Sequence, residues 1–134
     1  MKKARILSNR IYILLLGISL STLPACSLSA NEPVRVVKDY IHALAAQDQI
    51  AITNLTCKDW ETQAFLELDA LQLVKATVSD LNCQVTEAVA GGDIVECTGR
   101  IDTSYNNEVS TTDLSRNRYF VSHENGDWLV CGYR

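Results

Sequence analysis

The side chains best suited to covalent chemistry in this sequence are five cysteines, Cys26, Cys57, Cys83, Cys97 and Cys131. Thiols attack carbonyls, ligate metals or join as disulfides, and their spacing and surroundings separate these uses. No two cysteines form a C-x-x-C pair. The two histidines, His42 and His123, fall in different expected elements, without metal-ligand spacing. No metal and no cofactor is therefore expected. A cysteine nucleophile needs an imidazole base beside it, and the sequence offers Cys57 none. Gly-x-Ser-x-Gly is absent, and Gly91-Gly92 lacks the downstream Lys-Ser/Thr of a phosphate loop. Disulfides are the remaining use, if the chain is exported.

The N-terminus points to export. Lys2, Lys3, Arg5 and Arg10 give a basic start, residues 11–20 (IYILLLGISL) are apolar, and Leu23-Pro24-Ala25-Cys26 follows. That order describes a secretory signal peptide, with an apolar stretch shorter than the roughly 20 residues of a membrane span. Leu23-Pro24-Ala25-Cys26 resembles the lipobox of bacterial lipoproteins, in which the Cys is lipidated and becomes the first mature residue. Pro24 departs from the small residue usual there. The competing cleavage, after Ala30, removes Cys26. Either one leaves four cysteines, an even set. The expected division is a signal peptide over 1–25, a lipidated Cys26 with its tether over 26–32, and one domain over 33–134. Six residues from Ser27 to Glu32 reach about 20 Å at most. The expected location is the bacterial cell envelope, with the membrane as a partner through Cys26. Beyond residue 25 the chain has 8 basic and 16 acidic side chains, a formal charge of −8. So acidic a domain has no footprint for nucleic acid, and acyl chains rather than charge must hold it to a membrane.

Pro33 sets a helix start, and Val34, Val37, Ile41, Leu44 and Ala45 recur at helical spacing, predicting a helix over 33–46. A short second helix is expected over 50–56. Asp59 is the expected N-cap of a third, whose stripe of Trp60, Ala64, Leu68, Leu71 and Val74 runs to about Ala76. The period then falls to two. Leu81, Cys83 and Val85 alternate with polar residues, as do Val95, Cys97, Gly99, Ile101, Thr103 and Tyr105 after the Gly91-Gly92 turn. Gly99 within a strand signals a bend or bulge. A third strand is expected over 109–122, and Asn125-Gly126 closes a hairpin onto a fourth. The expected fold class is α+β: three N-terminal helices packed on a curved antiparallel sheet of four strands or more.

Register predicts the disulfides. If Val85 lies opposite Val95, Cys83 lies opposite Cys97, within bonding reach, and Cys57 is left to bridge the helices to Cys131 on the last strand. A one-residue slip would favour other pairings. In the closing hairpin, Val121 opposite Val130 puts Tyr119, Val121, Trp128 and Val130 on one face. Phe120 then lies opposite Cys131 on the other face, with Leu129. Both faces are apolar, so both need a cover: the three helices for one, and a folded-back strand, the chain's own N-terminal segment or a protein partner for the other.

A PVRVVKDYIHALAAQD helix, a short helix ending at LTC, a third helix and a sheet closing with GDWLVCGYR together resemble the nuclear transport factor 2-like superfamily. The closer resemblance is to its small secreted and lipid-anchored bacterial members, and it spans about residues 33–134. It implies a cone-like fold whose open end is a pocket, with Tyr40 and Tyr105 as candidate pocket residues. It also implies a weak homodimer through the outer sheet face, for which Tyr119, Val121, Trp128 and Val130 are the candidate interface. Isomerases and cyclases of similar fold place an Asp, Tyr or His in the cone. Here Asp102 falls on a polar strand face and His42 off the helix stripe, and no base and oxyanion donor assemble. The expected function is a non-enzymatic, lipid-anchored cell-envelope domain that binds a protein partner or a small ligand. The alternative is an isomerase- or dehydratase-type enzyme using a Tyr in the cone.

Overall fold

The structure is a computed structural model that describes residues 31–134. The expected signal peptide, Cys26 and all of the expected tether but Asn31 and Glu32 lie outside the described residues. Helices α1 (Glu32–Ala46), α2 (Gln49–Leu55) and α3 (Glu61–Ala70) precede strands β1 (Lys75–Val89), β2 (Gly92–Tyr105), β3 (Glu108–Asp113), β4 (Arg118–Glu124) and β5 (Asp127–Tyr133). All pairings within the sheet are antiparallel, in the order β1-β2-β4-β5, with β3 also beside β2. The class is α+β, with five strands. Among the described residues, no helix is long and apolar enough to cross a membrane.

Local chemistry sets the helix boundaries. Pro33 lies in the first turn of α1, and Gln47 ends the helix in the left-handed region at φ 58°, its N–H turned back to the carbonyls of Ala43 and Leu44. Asp48 then caps α2 by accepting from the Ala51 N–H at 2.9 Å. The buried face of α1 is centred on Val36, Val37, Tyr40, Ile41 and Leu44. It is turned slightly from the expected stripe, leaving Val34 and Ala45 half-buried.

Helix α3 is shorter than its apolar stripe suggests. Asp59 does not cap it; Trp60 holds the N-cap position with no side-chain bond. The helix ends at Ala70, and the Gln47 amide donates to the carbonyls of Leu71 and Val74 at 2.6 and 2.9 Å. Val74, Ala76 and Val78 already alternate with exposed Lys75 and Thr77, so the strand period takes over where the helix stripe seemed to continue.

The expected third strand is two strands. Asp113 accepts from the Ser115 N–H at 2.9 Å, nucleating a 3-10 turn (Leu114–Arg116) that buries Leu114. Before the turn, β3 pairs with the far half of β2; after it, β4 pairs with the near half. Gly99 has φ +118°, and a Cβ there would meet the Ser79 and Asp80 carbonyl oxygens at 2.8 Å. The β1–β2 register shifts at that point, between Ser79 and Asn82, as expected of a strand glycine at a bulge.

Between two register shifts Cys83 lies directly opposite Cys97, and the pair is bonded. Cys57 is bonded to Cys131. Its N–H donates to the Val130 carbonyl at 2.9 Å, seating the end of α2 on β5. In the β4–β5 hairpin Val121 faces Val130 as expected. A bulge follows, so that Phe120 faces Gly132 rather than Cys131, and Tyr119 faces Tyr133.

Candidate functional site

The expected pocket residues do not come together. Tyr105 is 55% exposed at the end of β2. Tyr40 is fully buried on α1, and its hydroxyl donates to Glu67 Oε2 on α3 at 2.8 Å. Its ring meets Tyr119 of β4 edge-on at 6.4 Å; Tyr119 lies 5.4 Å from Tyr133 of β5, and Tyr133 lies 5.6 Å from Trp60. A carboxyl group is thus held within a cage of aromatic rings between helices and sheet.

Burial is the main influence on every titrating group in the cage. It raises the Glu67 pKa above the usual carboxyl value, opposed by hydrogen bonding from Tyr40 and weaker contacts with Tyr133 and Gln63. It also raises Tyr40 and Tyr119, and pushes Tyr133 up to about 12. The phenols therefore stay neutral at physiological pH and provide no phenolate base. Two buried polar atoms, Glu67 Oε1 and Trp60 Nε1, have no hydrogen-bond partner among the described residues. Around the cage, Leu44, Leu68 and Ile101 are buried in one core.

The expected interface also needs correction. Tyr119, Val121 and Val130 are buried in the core beneath the helices, and Trp128 is half-buried against it. None of the first three is available to a partner. Strand alternation puts their neighbours Ile94 and Phe120, which pair across β2 and β4, on the other face. There they floor a groove of about 580 Å³ with Val89. Arg118 borders it, paired with Glu87 and Glu96 at 2.9 Å each. Trp60 and Tyr133 wall the groove where it crosses the β5 edge, and the same two side chains close off the Glu67 cage from that side.

Cys57 Sγ, Cys131 Sγ and a Glu124 carboxylate oxygen lie within 4.8 Å of one another. With the two sulfurs bonded to each other, neither is a thiolate, and a metal would find only the Glu124 carboxylate.

The sequence reading missed Glu67, Trp60 as a groove wall, and Tyr133. Glu67 left a signal, because it falls on the α3 stripe of Trp60, Ala64, Leu68 and Leu71, where a carboxylate is out of place. Tyr133 left none, since only the bulge turns it inward. No protein-family model matches the chain, and no curated protein matches it in sequence.

Proposed function

We propose that this chain is an exported, lipid-anchored and non-enzymatic binding domain of a bacterial cell envelope, with the groove on its open sheet face as the binding surface. The groove itself carries this reading. Its floor is apolar, its rim charged, and its volume of about 580 Å³ falls in the range of ligand sites. On the other face, Leu44, Leu68 and Ile101 are buried in the core. Export rests on the N-terminal pattern and on the four cysteines of the domain standing as two disulfides. A nuclear transport factor 2-like arrangement, with helices on the concave side of a curved sheet, is supported by the element order and by the bulge at Gly99.

The groove takes either a second copy of the chain or a small amphipathic ligand. Its rim holds both Arg118 and Glu87, paired with each other, so a second copy would meet a charge-balanced rim rather than one sign of charge. Analytical ultracentrifugation of the full chain in detergent tests the first occupant. The expected result is concentration-dependent association that Phe120→Lys abolishes. A wild-type monomer at every concentration leaves only the small ligand.

One observation favours an acid–base enzyme instead: burial raises the Glu67 pKa above the usual carboxyl value. Access weighs against it, because Oε1 is buried and Oε2 is engaged by Tyr40. A general acid must reach its substrate.

A further inference from the structure

A second concavity, of about 560 Å³, opens between the first turn of α1, the end of α2 and the β4–β5 turn. One side is the indole of Trp128, whose ring packs on His123 with centroids 5.3 Å apart. Glu32, Arg35, Asn54 and Asp127 stand around it. These polar groups are differently engaged. Arg35 is held by Glu32 and Asp39, whereas the side chains of Asn54 and Asp127 bond to no described residue. The cleft therefore presents an aromatic face beside an unengaged amide, an unengaged carboxylate and the remaining guanidinium N–H groups.

That combination selects among ligand classes. Two carboxylates against one guanidinium repel phosphates and carboxylates. A lipid chain would bury the polar walls without partners. An organic cation would suit the indole and Asp127, but would sit beside the like charge of the Arg35 guanidinium. A neutral sugar suits the indole, the amide, the Asp127 carboxylate and the guanidinium together, with Glu32 and His123 completing the polar wall. Its hydroxyls donate to Asp127 and accept from Asn54 and Arg35, and the C–H face of its ring covers the indole. We propose that this cleft binds a neutral saccharide, with Trp128 as the stacking platform and Asp127 and Asn54 as the contacts that orient the ring. The cleft shares no residue with the groove, so the proposal stands or falls separately from it.

The test is a titration of the full chain with cellobiose and with N,N′-diacetylchitobiose, followed by the NMR signals of the Trp128 indole N–H and the Asn54 side-chain amide. Both signals are expected to shift saturably at millimolar sugar with at least one disaccharide, while glucose 6-phosphate leaves them unmoved. Asp127→Ala is expected to weaken binding about tenfold, the scale of one charge-assisted hydrogen bond. Trp128→Phe should retain binding that Trp128→Ala loses. Because Trp128 also touches the core, the exposed substitutions Asp127→Ala and Asn54→Ala keep the test independent of folding. Saturation by neither sugar, unchanged affinity in both exposed variants, or saturation by tetramethylammonium in place of sugar would overturn the proposal.

Discussion

Glu67 shows how one side chain shapes the interior of this domain. Its carboxyl is buried among Tyr40, Tyr119, Tyr133 and Trp60, and one of its oxygens has no partner among the described residues. Burial raises its pKa above the usual 4.5, so between the two values the folded state binds more protons than the unfolded one. Stability from this group is then fully present below the unfolded-state pKa and is lost as pH rises through the folded-state value. Glu67→Gln keeps an acceptor for the Tyr40 hydroxyl and removes the charge. It is expected to stabilise the domain by about 1 kcal/mol at pH 8, the scale of relieving one poorly satisfied buried group, and to change stability little at pH 4. Urea denaturation at both pH values measures this, and a variant less stable at pH 8 contradicts it. The cage was partly legible in the sequence. Tyr40 stood beside the α1 stripe, and Glu67 interrupted the α3 stripe. Tyr105 misled because alternation assigns a face without saying how far along the strand the helices extend to cover it.

Elements were legible where a local signal fixes geometry. Pro33 and Gln47-Asp48 bound the first helix, Gly91-Gly92 closes one hairpin and Asn125-Gly126 another, and these gave the Cys83–Cys97 register and the Val121–Val130 pair. Boundaries failed where two periods overlap. Val74 fits both a helix stripe and a strand alternation, and Leu114 looked like one more strand residue until Asp113 capped a turn on it. The bulge that moved Phe120 from Cys131 to Gly132 has no local signature such as a strand glycine beside Phe120 and Val121. Each disulfide makes its own contribution. In the chain-entropy model, replacing Cys83 and Cys97 by Ala costs about 3 kcal/mol, and replacing Cys57 and Cys131 costs about 4.5 kcal/mol. Denaturation of the two double variants checks both the order and the scale, and a larger loss from the short loop would contradict it. Gly99→Ala is a sharper probe of the bulge. It places a Cβ against two carbonyl oxygens at a positive φ and is expected to cost about 2 kcal/mol. A neutral Gly99→Ala would mean that β1 and β2 run straight through this point.

On the scale of the whole domain, the helices pack on one sheet face, and no described helix packs on the other. The helices cover Tyr119, Val121 and Val130, while Ile94 and Phe120 remain on the opposite side, beside a charged rim. A lipid on Cys26 would hold the domain within a short tether of a membrane, and a second copy docked on the groove face would double the anchors on one particle. Fractionation of bacteria expressing the full chain tests the anchor. Wild type is expected with the membranes, and Cys26→Ser in the soluble fraction; equal distribution contradicts lipidation. The binding role of the groove is reached most directly by native mass spectrometry of the full chain, extracted gently from those membranes. The expected spectrum carries added mass, either a second copy or a discrete small molecule, that is absent from Phe120→Lys. Bare protein in both samples, or the same added mass in the variant, would contradict the assignment of binding to this face.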